Sequence, residues 1–375
     1  MEAYLDNSAT TRPCSAARQA MIAAMDTVWG NPSSLHQKGM DAGTLLRDAR
    51  TAVANALSCR PKEIVFTSGG TEANNLAVFG AAHAGRKRGR RVVVSAVEHP
   101  SVMKAFERLR DEGFEVCVLP VDAYGKISLA DAEALINEET ILVSVMAVNN
   151  ELGTIEPVAD LRRIIRSKHA PALLHIDAVQ AFGKLPLSVN RLGADLLTVS
   201  AHKIHGPKGV GALFIKDGVR LVPTAVGGEQ EARVRPGTEP MIAIAGFGAA
   251  VKAMRIPPLE TIRALTDDFK QRLSALPEVV FNSGEDALPY IINFSLPGWK
   301  AETVLNFLSD RGIYVSVGSA CAKGHRSPVL TAAGLDVRRM DSAIRVSLSD
   351  ETTAEELAWC ADGIAEAIRT LRKIS

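Results

Sequence analysis

Short apolar runs rich in β-branched residues recur along the first two thirds of the chain, and segments with helical spacing separate them. The strand-like runs are 63–67, 91–96, 115–119, 141–147, 172–176, 195–200 and 210–215. Helical patterning fits 71–87, 101–112, 129–137 and 158–168. Continuous apolar strands that alternate with helices predict a mainly parallel seven-stranded sheet with helices on both faces.

The pattern changes in two places. The link between runs 195–200 and 210–215 has no room for a helix, so one antiparallel strand is predicted there. After about residue 246 come an amphipathic stretch at 256–276 and further helix-like and strand-like segments, at 290–295, 301–311, 344–348 and 353–371. The sequence therefore predicts an α/β protein with a large domain, 13–246, and a smaller α+β domain formed by 1–12 and 247–375.

Composition and charge exclude several classes of function. Of the 375 residues 47% are hydrophobic, and the net charge is +1, which gives no field to attract nucleic acid or an anionic membrane. The basic run 86–91 has no interleaved aromatic residues and is predicted to be a solvated loop. No signal peptide or membrane-spanning run is visible. Five cysteines without a C-x-x-C pair predict neither a disulfide framework nor a zinc ribbon, but a reduced cytoplasmic protein.

Two charged residues follow predicted strands. Lys203 comes after the run that ends at residue 200, and Asp177 ends the preceding run, so both lie where ligands bind in open α/β sheets. A buried lysine with a lowered pKa can form a Schiff base with an aldehyde, and a pyridoxal ring needs a carboxylate against its nitrogen. Taken singly, Lys203 could also be a surface side chain and Asp177 a helix N-cap.

A glycine-rich turn at residues 68–71 separates a strand-like run from a helix-like one. Backbone N–H groups at such a helix start form a site for an anion, and a phosphate is the natural guest. The turn matches neither the P-loop nor the dinucleotide-binding fingerprint. A capping box that uses Ser68 or Thr71 with Glu72 is the alternative interpretation.

His99 and Asn150 follow two further predicted strands. At the same edge of the sheet, His99 could stack on an aromatic cofactor ring, and Asn150 could donate a hydrogen bond to a phenolic oxygen on that ring. A lone histidine is more often structural, and asparagine-rich turns after strands are common. Each residue is therefore a weak signal by itself.

Cys321 is the candidate nucleophile among the cysteines. It lies in a glycine-flanked stretch, and the neighbouring Lys323, His325 and Arg326 would lower the pKa of its thiol. A loop there can carry a nucleophile between a buried cofactor and an external acceptor. Cys59, beside Arg60 and Lys62, is the weaker competitor.

These segments together resemble the cysteine desulfurases, in the class V aminotransferase branch of the fold-type I pyridoxal-phosphate enzymes. The resemblance runs almost end to end and ends on the Gly-Ser-Ala-Cys form of the cysteine motif. The motifs that carry it are 4–11, 30–36, 67–75, 98–99, 148–153, 177–180, 200–209, 237–239 and 318–321.

The resemblance implies a role for each motif residue. Lys203, Cys321 and His99 are implied to be catalytic, with Lys203 linked to pyridoxal 5′-phosphate. Asn150 and Arg345 are implied to bind the substrate, with Arg345 as the clamp for its carboxylate. The implied cofactor-binding residues are Gly70, Thr71, His99, Asn150, Asp177, Gln180, Ser200, His202, Lys203 and Thr238.

The implied reaction converts L-cysteine to L-alanine and leaves the sulfur on Cys321 as a persulfide. The sulfur would then pass to an acceptor or scaffold protein for iron–sulfur cluster assembly, tRNA thiolation or a thio-cofactor. Thr238 is implied to complete a neighbouring subunit's phosphate site, which predicts a homodimer. No metal site is expected. The alternatives are a selenocysteine lyase, another enzyme of this branch such as an aminotransferase, and a catalytically silent scaffold.

Overall fold

A computed structural model describes residues 2–317 and 326–373. The strands are β1 Ala3–Tyr4, β2 Ile64–Thr67, β3 Arg91–Ser95, β4 Glu115–Leu119, β5 Thr140–Met146, β6 Leu173–Asp177, β7 Leu196–Ser200, β8 Gly211–Ile215, β9 Val280–Phe281, β10 Ile291–Ser295, β11 Ile313–Tyr314, β12 Ser316–Val317 and β13 Ala343–Ser347. The α-helices are α1 Ser15–Asp26, α2 Gln37–Leu57, α3 Gly70–Gly85, α4 Pro100–Asp111, α5 Leu129–Leu135, α6 Val158–Ser167, α7 Val189–Leu192, α8 Met241–Ala253, α9 Leu259–Ser274, α10 Ala301–Ser309, α11 Pro328–Ala332, α12 Val337–Asp341 and α13 Ala354–Thr370.

The main sheet has seven strands in the order β2-β8-β7-β6-β5-β3-β4. Strand β8 runs antiparallel to both of its neighbours, whereas the other pairings are parallel. The mainly parallel sheet and its single antiparallel strand are thus as the sequence predicted. Because β2, β3, β5, β6 and β7 point the same way, the segments that follow them emerge at one edge of the sheet.

The central strands of the sheet are buried on both faces. All seven residues of β5 and all five of β7 are buried, which explains why these strands are continuous apolar runs without alternation. Two hydrophobic clusters hold this packing, one containing Val143 and Val145 and the other Leu142. Helices on both faces of the sheet therefore fix the positions of the strand ends.

Three long helices, α1, α2 and α8, were not predicted from the sequence pattern, and neither were the short helices α7, α11 and α12. The buried face of α2 consists mainly of glycine and alanine, so the contrast between its two sides is weak. Helix α8 is apolar almost throughout and shows no stripe. The three helices pack on one another, α8 against both α1 and α2, and the small side chains permit this close approach.

The C-terminal part contains a four-stranded antiparallel sheet in the order β12-β13-β10-β9. The N-terminal strand β1 pairs in parallel with β11, which attaches the first residues to this part of the molecule. We propose that 1–12 and 247–375 form a small domain and 13–246 a large one, as the pattern suggested. Helix α8 crosses residue 246, so the turn that follows α8 is the natural boundary.

The N-terminal segment, residues 5–11, runs from the small antiparallel sheet to the edge of the main sheet. Asn7 donates a backbone hydrogen bond of 3.2 Å to the carbonyl of Ser347 in β13. Thr11 donates one of 2.9 Å to the carbonyl of His202, directly after β7. This segment therefore contacts both sheets at the place where the polar residues gather.

Candidate active site

The candidate site lies at the edge of the main sheet where the parallel strands end. Asp177 is the last residue of β6, and Lys203 lies in a short 3₁₀ turn directly after β7. His99 begins α4, after β3, and Gly70 begins α3, after β2. The edge is where ligands bind in open α/β sheets, and the structure brings these four residues together there.

The amine of Lys203 points to the N-terminal segment. Its Nζ donates a hydrogen bond of 2.7 Å to the carbonyl oxygen of Ala9 and a second hydrogen bond to the carbonyl oxygen of Ser8. The side chain is half-buried, so a ligand can reach the amine from the edge of the sheet. The Lys203 amine is thus held by hydrogen bonds and is not a solvated surface group.

Asp177 is buried and held by two donors. Asn74 Nδ2 donates to its Oδ2 at 2.7 Å, and the backbone N–H of Val179 donates to its Oδ1 at 3.0 Å. The hydrogen bond from Val179 N–H caps a turn. Asp177 therefore has the capping role considered from the sequence and also lies in the site. Below it, His175 is fully buried between Ser144 and Thr198, and burial lowers its pKa to about 4.

The ring of His99 is exposed at the edge, although its Nδ1 lies 2.8 Å from Ser101 Oγ and caps helix α4. Partial burial of the ring against the protein lowers the pKa of His99. The positive charge of Lys203 lowers this pKa further, whereas the negative charge of Asp177 raises it. The ring is therefore a neutral, open face close to both charged groups. Such a face suits stacking on a flat ligand.

An anion pocket lies between the start of α3 and the end of β7. It is lined by Ala9, Thr10, Ser68, Gly69, Gly70, Thr71, Glu72, Ser200, His202, Lys208 and Gly209. The Oγ of Ser200 is buried and has no hydrogen-bond partner among the described residues. Burial, together with Lys203 and Lys208, lowers the pKa of His202 to about 4, so the imidazole is neutral. The pocket thus offers backbone N–H groups, hydroxyls and Lys208 to an anion.

The capping interpretation of the glycine-rich turn is partly right. Glu72 reaches back to the backbone N–H of Ser68 at 2.5 Å, as in a capping box, but helix α3 has Gly69 at its N-cap and therefore no capping side chain there. Gly69 has a φ of 148°, which favours glycine. A Cβ on Gly70 would lie 3.1 Å from Val179 Cγ2, so glycine there favours the close approach of the turn to the segment after β6.

Arg345 connects the two sheets at the site. Its guanidinium donates to Asp6 Oδ1 at 2.7 Å and to the backbone carbonyl of Asn150 at 2.9 Å. Its Nε is buried and finds no acceptor among the described residues. Asn150 is half-buried in the turn after β5, and its neighbour Glu151 accepts a hydrogen bond of 2.6 Å from Ser327 Oγ.

Gln180 is buried next to Lys203, and both ends of its amide have partners. Its Nε2 donates to the Ser8 carbonyl at 2.9 Å, and its Oε1 accepts from Lys184 Nζ at 2.9 Å. Lys184, which the sequence did not single out, is also buried. Asn74, Ser8 and Asp6 were missed as well. All three lie in the motifs 4–11 and 67–75 that carry the family resemblance, and Asn74 is also an amide on the otherwise apolar buried face of α3.

Thr238 lies apart from these residues. It is exposed and lines a groove of about 530 Å³ with Met25, Trp29 and Ile242, whose side chains are all largely exposed. The loop before it is anchored to α2 and β2, because Glu231 forms a bidentate ion pair with Arg50 and accepts the Phe66 N–H at 2.8 Å.

Cys321 lies outside the described residues, as do Lys323 and His325. Both flanking segments are described and lie at the site. Ser316 in β12 is paired with Arg345, and Ser327 bonds Glu151. The competing thiols are poor nucleophiles: burial raises the pKa of Cys59 and of Cys360 to about 12 and also raises that of Cys117. Cys117, interpreted as a core residue, is half-buried in the edge strand β4.

The described residues contain neither a metal-binding cluster nor a helix that could span a membrane. Within 2–317 and 326–373, no three His, Cys, Asp or Glu side chains are arranged to hold a metal ion. None of the helices in these ranges is both long and apolar enough to cross a membrane.

The chain is similar to known proteins over its whole length. The family model described as aminotransferase class-V matches residues 3–359. A cysteine desulfurase IscS from Dictyoglomus turgidum is 39% identical, with 100% of this chain and 96% of the relative covered. A solved NifS-like protein is 37% identical with a TM-score of 0.92, covering 99% of this chain and 100% of that one. A structure described as SspA in complex with cysteine is 34% identical with a TM-score of 0.83, covering 94% and 100%.

Proposed function

Because the chain belongs to the aminotransferase class-V family, we propose that it is a cysteine desulfurase, which converts L-cysteine to L-alanine and retains the sulfur on Cys321. One observation carries the proposal. The amine of Lys203, the carboxylate of Asp177 and the open ring of His99 lie at a single sheet edge beside an anion pocket. These are the groups that a phosphorylated pyridine aldehyde requires.

The described residues fit pyridoxal 5′-phosphate. The buried hydroxyl of Ser200 lacks a partner among the described residues, and a phosphate oxygen would supply one. The N–H groups at the start of α3 and the side chains of Thr71 and His202 line the same pocket. Asp177, already held by Asn74, supplies the carboxylate for the pyridine nitrogen. When bound, the cofactor supplies an electron sink for the pair of electrons released at the substrate Cα.

The protein side chains then divide the work of proton handling. Lys203 would hold the cofactor through its amine, and the same amine would be placed to move the proton at the substrate Cα. Asp177 would face the ring nitrogen. His99, whose pKa is lowered by burial, would pack on the ring without adding a charge there.

Arg345 orients the substrate. Two of its guanidinium nitrogens are held by Asp6 and by the Asn150 carbonyl, so the group is fixed before a ligand arrives. Its buried Nε lacks an acceptor among the described residues, and a substrate carboxylate would provide one. Asn150 lies within the same group of contacts, which supports its role as a residue that binds substrate and cofactor.

Cys321 takes the sulfur. The thiolate attacks the substrate sulfur, the Cβ–S bond breaks as an S–S bond forms, and the carbon fragment takes up a proton to become alanine. In the sequence Cys321 follows Ser316, the partner of Arg345 in β13, by five residues. We expect Lys323 and His325 to favour the thiolate, whereas Arg326 is paired with Asp341 at 2.8 Å.

A second copy of the chain and a sulfur acceptor complete the proposal. The groove beside Thr238 exposes Met25, Trp29 and Ile242, and covering such an apolar face fits a homodimer in which Thr238 reaches the partner's phosphate. The persulfide would be passed to an acceptor or scaffold protein that serves iron–sulfur cluster assembly or thiolation.

The test combines mass spectrometry of Cys321 with an alanine assay. After incubation with L-cysteine and cofactor, we expect one extra sulfur on Cys321 and release of alanine. Cys321→Ser should abolish both, whereas Cys14→Ser should retain them. Unchanged turnover by Cys321→Ser would exclude the persulfide route. Turnover of selenocysteine alone would indicate a selenocysteine lyase. A chain that stays colourless and inert with added cofactor would indicate a scaffold.

A further inference from the structure

Lys184 is a buried lysine that the reaction above does not use. Its side chain is 5% exposed, and no carboxylate contacts it within the described parts of the chain. Burial lowers its pKa from the ordinary value of 10.5 to about 7, and the positive charges of Lys203 and Arg345 contribute. A lysine in such a place costs stability at neutral pH, because the unfolded chain holds its proton more tightly.

The amine of Lys184 lies at the end of a hydrogen-bonded path to Lys203. Lys184 Nζ donates to Gln180 Oε1 at 2.9 Å, and Gln180 Nε2 donates to the carbonyl oxygen of Ser8 at 2.9 Å. That same carbonyl accepts a hydrogen bond from Lys203 Nζ. Lys184 and Lys203 are thus joined through one amide side chain and one backbone carbonyl.

The path determines which end of the Gln180 amide faces the site. A protonated lysine has only donors, so the amide oxygen must face Lys184 and the NH₂ group must face the site. The Ser8 carbonyl accepts one N–H of that group, and an amide nitrogen has two. The second N–H suits a negatively charged oxygen on a ligand, whereas a turned amide would present its own oxygen and repel it.

We propose that Lys184 is a positioning residue, which holds the amide of Gln180 with its NH₂ group directed to the cofactor ring oxygen and to the carbonyl that Lys203 contacts. The inference rests on the proposed function, since it concerns the same cofactor site. This positioning role also explains why a buried lysine that lowers the stability of the fold is present, because the lysine orients a ligand-binding group.

Other titratable groups lie near Lys184 and could affect its protonation. A cavity of about 490 Å³ lies beside it. The titratable side chains on the cavity wall are Cys14, Lys203, His205, Tyr290, Asp350 and Glu351, with Arg255 at the rim. His205 and Asp350 form an ion pair with each other, at 3.2 Å. The charges that lower the pKa of Lys184, besides burial, are those of Lys203 and Arg345.

The experiment measures the dissociation constant of pyridoxal 5′-phosphate from the full-length protein by absorbance at pH 6.5, where Lys184 is mostly protonated. Lys184→Met removes the donor to Gln180, and we expect cofactor binding about tenfold weaker, the effect of one hydrogen bond. Lys184→Gln keeps an N–H donor on a side chain one bond shorter and should restore part of the affinity. Lys252→Met, the same substitution at an exposed lysine of α8, is the matched control and should change nothing.

Thermal unfolding of the cofactor-free variants separates positioning from structural damage. Lys184→Met should unfold at a temperature equal to or above that of the wild type, because it removes a buried cation, while binding the cofactor more weakly. In a Gln180→Leu background, Lys184→Met should have no further effect on affinity, because Lys184 acts through Gln180. This double-mutant comparison remains informative if the single variant is less stable than expected.

Two results would overturn the inference. One is cofactor affinity of Lys184→Met within about twofold of the wild type; the other is an equal loss of affinity in the Gln180→Leu background. A wild-type protein that forms no borohydride-reducible link to the cofactor would instead defeat the proposed function. The two failures are therefore distinguishable.

Discussion

Asn74 and Asp177 are joined by a hydrogen bond of 2.7 Å, although 103 residues separate them in the chain. The asparagine lies on α3, the helix whose start forms the anion pocket, and the aspartate ends β6. The side chain of Asn74 thus links the helix that begins at the anion pocket to the carboxylate proposed for the ring nitrogen. A shift of α3 would disturb both ends of the cofactor together.

Replacing Asn74 with Leu should remove a donor from a buried carboxylate. We expect the free energy of unfolding to fall by roughly 1–3 kcal/mol, and cofactor affinity to fall as well. Urea unfolding of the cofactor-free chain and an absorbance titration measure the two effects. Asn75→Leu is the matched control, since Asn75 bonds the carbonyls of Thr71 and Ser101 and not Asp177. Equal affinity losses in both variants would contradict a specific role for Asn74.

Ser200→Ala should affect the cofactor and leave the fold intact. The hydroxyl has no hydrogen-bond partner among the described residues, so its removal breaks no hydrogen bond there. We expect cofactor affinity to fall about tenfold, from the loss of one phosphate hydrogen bond. Ser144→Ala provides the contrast, because Ser144 bonds the buried His175 at 2.7 Å and should mainly lower stability. Unchanged affinity of Ser200→Ala would mean that the phosphate lies elsewhere.

Arg345→Gln should raise the KM for L-cysteine more than it lowers kcat. A charge-assisted hydrogen bond to a carboxylate contributes about 1.5–3 kcal/mol, which corresponds to a KM roughly 10- to 100-fold higher. Steady-state alanine release measures this. Arg311→Gln, at a surface arginine paired with Glu366, should leave both constants unchanged. A loss confined to kcat would argue against Arg345 as the carboxylate clamp.

Glu156 should make stability depend on pH. Burial raises the pKa of its carboxyl from 4.5 to about 8, although Ile127 N–H donates to it at 3.0 Å. Between these two pH values the folded state binds the proton more tightly, so the contribution present at pH 4.5 is lost as pH rises through 8. Glu156→Gln should therefore be more stable than wild type at pH 9, by on the order of 3 kcal/mol, and similar to it at pH 4.

Calorimetry of both proteins at these two pH values tests that prediction. Glu139→Gln, at an exposed residue, serves as the control and should follow the wild type at each pH. A constant difference between Glu156→Gln and the wild type at pH 4 and pH 9 would show that the carboxyl is not the titrating group.

The sequence predicted the residues that directly follow strands and missed the residues that support them. Asp177 and Lys203 were visible because each follows a run of apolar residues, and the direction of parallel strands puts such positions at one edge. Asn74, Lys184 and Ser8 could not be found in that way. Their roles depend on contacts between distant parts of the chain, which periodicity does not report.

The fold divides in a similar way. The strands were predictable because β5 and β7 are buried on both faces and consist of unbroken apolar runs. Helices α2 and α8 were missed because alanine and glycine form much of the surfaces on which they pack, so neither shows an apolar stripe against polar residues. Close packing of small side chains does not leave the periodic contrast on which sequence interpretation relies.

The path of residues 5–11 has a consequence for how the protein is made. The Asn7 side chain bonds the carbonyl of Ser347, 340 residues away, and the Ser8 carbonyl next to it accepts from Lys203. These residues emerge from the ribosome before β13 does, so the segment can form its contacts with β13 only after β13 has been synthesised. The main sheet can collapse earlier, but Lys203 gains its final surroundings only after β13 has been synthesised. Contacts this distant in sequence form slowly, so we expect the ability to bind cofactor to be among the last properties acquired by a newly made chain.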